Sequence, residues 1–532
     1  MKGPRWLVPA LAAAVTATLC AAAYEHFASR LPPLHADETG HALPAARLAS
    51  DLRGADLAAF VAHTQRETTW PFVHPWALCA AFLVGGTTTE VARGTSLAFF
   101  GTAVVLALLL ARELARPPPY GAGDAAQVPV GAGWPTVALM LLNRDFWAQS
   151  SHVMIEPLGM ALTLAALLAH AAAVRRGSPG RFLLAGLLAA LTFLTKYNYG
   201  LPLVAAVVLS QLLARPSPGR RQLAGLLAGT AVPIAAWLAY PFAEKLRGLL
   251  AFAVNRDEGI EGMENLLFYP VEIASLVSWP VCVAVLGAAV LSTRHVRRPR
   301  VCAPALFALL SLVMITAHPN KQVRYCFTAL PVLFVVAELE SRTLMAGLLG
   351  PRARALVWAL VLASLGLALD PRPALTQLRR EAEPLRDAGR IVEFLLPQLD
   401  PEGRTLVLGS TGLLPHLLIQ WELVSRTGVQ DPVVEWMPFP GPPAEHRRGY
   451  PAELTAVYAR ELEAALWNGR YDRVVTLEIP PGSPFLPDWM LRWDAWGQNY
   501  VALMVRRERP PLRAERSFPG SDVRVRVYGS PP

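Results

Sequence analysis

Charge is scarce in this chain and cysteine scarcer. Asp, Glu, Lys and Arg make up 17% of the 532 residues, well below the roughly 25% of a soluble globular domain. The five cysteines, Cys20, Cys79, Cys282, Cys302 and Cys326, show no C-x-x-C spacing and none follows residue 326, which excludes a disulfide scaffold or a zinc finger. No solenoid-type repeat occurs, and no low-complexity tract beyond an Ala/Leu bias. The formal charge of +9 would suit nucleic acid, but the basic residues come as short clusters beside apolar runs, which is the pattern of membrane topology. The implied partner is membrane lipid, with no nucleic acid.

What the chain has in quantity is apolar sequence: 53% of residues are hydrophobic and the mean hydropathy is +0.34. Runs nearly free of charge cover 6–24, 94–111, 134–150, 157–174, 182–195, 199–214, 222–243, 273–293, 301–317, 325–337 and 355–369. They predict about eleven transmembrane helices, several of which fall short of the ~20 residues of a perpendicular span and must borrow polar flanks. Lys2 and Arg5 before the first run resemble a signal peptide, but nineteen uncharged residues from Trp6 to Tyr24 are long enough to be a retained helix.

Charge tests the orientation. With a cytoplasmic N-terminus, the inner segments carry seventeen Lys/Arg against four Asp/Glu, and the outer segments twelve against fifteen. Each short Arg cluster then falls inside. The apolar stretch 74–86 would invert this count as a span; at thirteen residues it reads as an interfacial helix opened by Pro75 within the first outer loop, 25–93. The expected division is a transmembrane domain over 1–369 and an extracytoplasmic domain over 370–532. The latter mixes strand-like runs (404–409, 472–478, 500–505, 523–528) with helical ones (374–396, 452–467), hence α/β. Pro438–Pro443 reads as a loop, and Arg404–Gly412 as a strand entering a turn.

Topology gathers polar residues on the outer face. Asp37 and Glu38 stand early in the first loop; near the bilayer boundary such carboxylates suit proton abstraction from a hydroxyl, although Asp37 also fits as the N-cap of a helix over 39–52. Glu156 precedes an apolar helix with Pro157, which equally suits a favourable charge at a helix N-terminus. Lys196, Lys321 and Arg324 lie in the short outer turns, with His74 and Arg93 flanking the interfacial segment. Snorkelling to headgroups is one account of these cations; a clamp on a lipid phosphate is the other.

The order of Ala36-Asp37-Glu38-Thr39, His74-Pro75-Trp76, Glu90-Val91-Ala92-Arg93, Ile155-Glu156-Pro157-Leu158, Leu194-Thr195-Lys196 and Arg324-Tyr325 with Pro331 resembles the C-type (GT-C fold) glycosyltransferases of family 39, which include protein O-mannosyltransferases and lipid A aminoarabinose transferases. The match covers residues 1 to about 340. It departs from the family at Glu156, more usually Asp, and at Trp76, commonly a second Pro.

The resemblance implies inverting transfer of a sugar from a polyprenyl-phosphate carrier to an envelope acceptor: protein, lipopolysaccharide or another glycan. Asp37 would act as base or acceptor-orienting acid. Glu38 and Glu156 would complete the catalytic carboxylates and shape an acceptor or metal site. Lys196, Lys321, Arg324, His74 and Arg93 would hold the donor phosphate. A divalent metal stays open: His35, His41, His74 and His318 lie on the outer face without a ligand spacing. The high-GC character of the composition points to a bacterial inner membrane. The alternatives are a transporter or flippase of a lipid-linked sugar, which would place ionisable groups nearer the bilayer midplane, and a non-catalytic scaffold.

Overall fold

The computed structural model describes residues 7–26, 28–31, 33–34, 36–66, 70–116, 131–214, 219–239, 245, 262–295, 298–318, 321–348, 387–408, 416–429, 432–436, 470–478, 511–519 and 523–529. The chain divides into two compact units. One comprises Met1–Ser29, Leu57–Leu78 and Arg93–Asp370; the other comprises Arg30–Asp56, Cys79–Ala92 and Pro371–Pro532. The fold is that of a polytopic α-helical membrane protein with a C-terminal α/β domain.

In chain order the helices are α1 Leu7–His26, α2 Ala36–Arg53, α3 Leu57–Arg66, α4 Val73–Gly85, α5 Thr89–Leu114, α6 Trp134–Leu142, α7 Arg144–Ser150 and α8 Glu156–Arg176. They continue with α9 Pro179–Phe193, α10 Tyr197–Leu212, α11 Arg220–Leu238, α12 Gly262–Val277, α13 Trp279–Ser292, α14 Pro299–Ala317, α15 Leu330–Leu348 and α16 His416–Thr427. Among the described residues, α1, α5, α8 and α14 are long and apolar enough to cross a bilayer alone.

In the first unit α9 lies against α8 and α11, and α10 against α14. Small residues permit the closest of these crossings. A Cβ on Gly229 of α11 would sit 2.2 Å from the Leu183 carbonyl oxygen of α9, and one on Gly186 of α9 2.3 Å from that of Leu226. Where lipid removes the hydrophobic drive between helices, such backbone approach supplies the packing energy. The shared core is apolar, built from side chains such as Phe100, Phe146, Leu164, Leu203 and Phe334. Some polar groups inside it are paired, as where His170 of α8 meets Gln211 and Ser210 of α10 at 2.8 and 3.4 Å.

Three expected runs have different bounds. The run 134–150 breaks at Asn143, whose side chain accepts from the backbone N–H groups of Asp145 and Phe146 and so caps α7. The run 273–293 breaks at Ser278, in the left-handed φ region at 74°, and helix resumes with Pro280 in its first turn. The run 325–337 begins later, at Leu330, and extends through Glu338 and Glu340. Both acids are buried and both have partners. Glu338 accepts from the backbone N–H of Gly133 (2.7 Å) and from the Thr136 hydroxyl (2.8 Å) at the start of α6, and pairs with Arg342. Glu340 accepts from Ser292 at 2.7 Å and pairs with Arg294. The expected span 355–369 lies outside the described residues.

In the second unit α2 packs against α16, and the buried Trp421 of α16 donates to the Thr89 hydroxyl at 3.1 Å. The sheet runs in the order β2-β1-β3-β5-β4, with β1 Arg404–Leu408, β2 Val433–Trp436, β3 Arg473–Glu478, β4 Leu512–Phe518 and β5 Val523–Gly529. β1 pairs in parallel with β2 and β3, while β5 is antiparallel to β3 and β4. β2 and β4 join the expected strands, and residues 387–395 are helical within the expected run 374–396, of which 374–386 lie outside the described residues. The expected elements at 452–467 and 500–505, the Pro438–Pro443 loop and the turn after β1 lie outside the described residues.

Candidate active site

Two short connections set the geometry. α8 starts at Glu156 with Pro157 in its first turn and ends at Gly177, whose φ of 64° terminates the helix. α9 returns antiparallel to the same face and closes with Leu194. Lys196, in extended conformation, then precedes α10. The turn is so tight that a Cβ on Gly200 would fall 2.0 Å from Phe193 Cα. Glu156 and Lys196, forty residues apart, therefore emerge together.

The Lys196 ammonium lies 3.1 Å from Glu156 Oε1, with the two side chains only 3% and 1% exposed. Tyr199, one turn into α10, donates its hydroxyl to the same carboxylate oxygen at 2.8 Å and accepts from Lys196 Nζ at 3.3 Å. Gln149 of α7 donates to Glu156 Oε2 at 3.5 Å. Three rings surround the ammonium: Trp70, Tyr199 and Tyr325, with centroids 4.9, 5.0 and 4.9 Å away. Each ring face contributes attraction to a desolvated cation. Arg324, beside Tyr325, lies close enough for its charge to act on Glu156, and its Nε donates to Gln322 at 2.6 Å. Gly159, one turn after Glu156, makes room for this arrangement, since a Cβ there would meet the Tyr199 ring at 2.6 Å.

Of the residues singled out by sequence, Glu156, Lys196 and Arg324 are thus brought together. His74 is buried in the first turn of α4, and the helix start is tied to the Lys196 turn by a bond from Val73 N–H to the Leu194 carbonyl at 3.1 Å. Lys321 donates to the carbonyls of Ile315, at 3.1 Å, and Thr316, capping the end of α14; burial holds its ammonium below the ordinary value. Arg93 is buried on α5 and reaches the Ala28 carbonyl at 3.4 Å. Asp37 and Glu38 belong to the second unit, in the first turn of α2, where acids complement the helix dipole. Asp37 is exposed and Glu38 buried. Since the helix already includes Ala36, Asp37 is not its N-cap.

Sequence reasoning did not single out Trp70, Tyr199, Tyr325, Gln149 or Gly159 as site residues. The signal available was spacing: Tyr199 follows Lys196 by three, and Gly159 follows Glu156 by three, one helical turn in each case. Among the described residues no group of three or more His, Cys, Asp or Glu could hold a metal ion.

No protein-family model matches the chain, and no curated protein matches it. Solved structures do. ArnT from Cupriavidus metallidurans bound to undecaprenyl phosphate aligns with a TM-score of 0.60 at 12% identity, covering 97% of each chain. The same protein in the apo state aligns with a TM-score of 0.59 at 13% identity, again over 97% of each chain. At this identity the likeness establishes a shared fold, the GT-C fold of ArnT, and a multi-pass membrane architecture. This is the fold that the sequence resemblance implies.

Proposed function

We propose that the chain is a membrane glycosyltransferase that moves a sugar from a polyprenyl-phosphate carrier to an envelope acceptor, with inversion. The observation that carries this reading is the buried Lys196 ammonium, with the half-buried Arg324 acting on the same carboxylate, in a fold shared with a protein solved with undecaprenyl phosphate bound. An acceptor O–H or N–H attacks the anomeric carbon, the bond from that carbon to the phosphate oxygen breaks, and its electron pair stays on the phosphate. The leaving group gains charge in the transition state, so cations held in place beforehand act more strongly there than in the ground state. Removing one such contact typically costs about 10²–10³ in turnover.

The proton passes to a base. On the sequence resemblance we assign that role to Asp37, with Glu38 and Glu156 as accompanying carboxylates, and Lys321, His74 and Arg93 as supports of the phosphate region. The same reading assigns residues 1–369 to the catalytic membrane domain and 370–532 to an extracytoplasmic domain. It places the protein in a bacterial inner membrane with the N-terminus cytoplasmic. It specifies no metal.

The test is transfer by the full chain in lipid nanodiscs, supplied with a panel of radiolabelled polyprenyl-phosphate sugars and envelope extract, for wild type and Asp37→Asn. Labelled acceptor formed by the wild type and abolished in the variant, with carrier binding retained, is the expected outcome. Movement of the lipid-linked sugar between leaflets without transfer would replace this reading with a flippase. No binding of any carrier would overturn both.

A further inference from the structure

The cation best placed to receive a phosphate is already engaged. Lys196 is buried, ringed by three aromatic side chains and paired with a carboxylate from a different helix. We propose that Glu156 is a placeholder for the carrier phosphate: it neutralises Lys196 while the site is empty and is displaced from it when the phosphate arrives. This rests on the lipid-phosphate reading above and adds a counterion exchange to it.

The geometry provides for both states. A buried ammonium without a counterion is costly, so an empty site needs an anion of its own. Glu156 supplies one with Oε1, the oxygen that also accepts from Tyr199. Its other oxygen faces Gln149 of α7, and the carboxylate stands in the first turn of α8, where helix dipole and backbone N–H groups favour negative charge. On losing Lys196 the carboxylate retains these stabilising partners and the charge of Arg324, so it need not be protonated or left alone. Tyr199, held between both charges, can keep its hydroxyl on the carboxylate or offer it to the arriving phosphate. The length of the side chain matters: Glu extends its carboxylate one methylene further than Asp, and that methylene carries Oε1 to Lys196.

Exchange makes Glu156 a competitor of the ligand. If the latched state dominates the empty protein, apparent carrier affinity falls in proportion to the unlatched fraction. Weakening the latch therefore tightens carrier binding, whereas a merely structural ion pair predicts the reverse.

The experiment measures the affinity of undecaprenyl phosphate for the full chain in detergent micelles by calorimetry, with undecaprenol as the uncharged control and the thermal midpoint recorded for every protein. Glu156→Gln is expected to bind the phosphate about tenfold more tightly than wild type. Glu156→Asp, which keeps the charge and shortens its reach, is expected to fall between the two, and remains informative if the Gln variant does not fold. Affinity for undecaprenol is expected to stay level across the series. Unchanged or weaker phosphate binding by a folded Asp variant would overturn the exchange while leaving the carrier site intact. Absence of phosphate binding in wild type and variants alike would overturn the site itself.

Discussion

Among the described residues a similar small constellation is found in each unit, in opposite surroundings. Glu156 receives Lys196, the Tyr199 hydroxyl and the field of Arg324 inside the helical unit. In the sheet, Glu435 of β2 receives Arg404 at 2.8 Å, Arg470 at 3.1 Å and the Tyr471 hydroxyl at 2.5 Å. Lys196 is nearly inaccessible, while the side chains of Arg404 and Arg470 are 45% and 44% exposed. Burial pushes the Glu435 carboxyl up, but the bonds from Tyr471 and Arg404 and the charges of both arginines outweigh it and hold it below the ordinary value. Water makes the second cluster cheap to form and cheap to lose. Its exclusion makes the first costly to break unless another anion takes the place of the carboxylate at Lys196.

Breaking the buried cluster produces the largest expected effect. Lys196→Met takes the ammonium from Glu156, which keeps Tyr199, Gln149 and the charge of Arg324. It should destabilise the protein by about 3 kcal/mol, the low end for a broken buried pair, while abolishing carrier binding, as read by thermal unfolding in nanodiscs and by calorimetry. Gly159→Val drives a side chain into the Tyr199 ring and should cost about 1–3 kcal/mol through overpacking. Its cost should shrink in the double variant with Tyr199→Ala, which a cycle of the four proteins measures.

A third comparison separates the units by pH. Burial pushes the His416 imidazole at the start of α16 from 6.5 down to about 4. Between those values the folded chain binds fewer protons than the unfolded one, so stability falls as the pH drops through that window. Hydrogen exchange of 416–427, corrected for its intrinsic rate, should show protection declining from pH 6.5 toward 4, and His416→Gln should flatten the decline. The smallest effect belongs to the exposed cluster. Glu435→Gln should change stability by under ~1 kcal/mol, and at molar salt, where the Debye length is about 3 Å, even that should shrink.

Legibility in the sequence followed the same division. In an apolar chain a charged residue is conspicuous, so Glu156, Lys196 and Arg324 stood out, and charge asymmetry placed them on one face before any coordinates. Their pairing was not legible, because it depends on how closely α8, α9 and α10 approach, and that is set by Gly159 and Gly200 rather than by charge. The rings around Lys196 were hidden for another reason: an aromatic side chain in an apolar run reads as core. The rule that defined spans by lack of charge cut α15 short at Glu338, since it has no means of knowing that a carboxylate finds partners on other helices. In the C-terminal domain β1, β3 and β5 announced themselves as β-branched runs. β4 did not, because nearly all its residues are exposed or half-exposed, leaving no alternation for a period-2 pattern to catch.

Glu338 and Glu340 bear on how the molecule is made. Two carboxylates in the middle of the 19-residue α15 would resist partitioning as an isolated segment, at about 2.5–3.5 kcal/mol for an acid at a helix centre on insertion scales. Their partners on other elements, Gly133, Thr136, Ser292 and Arg294, all precede α15 in the chain. When α15 leaves the ribosome, the groups that neutralise it have already been synthesised. The carboxylates of α15 are therefore matched by groups that come before them in the order of synthesis.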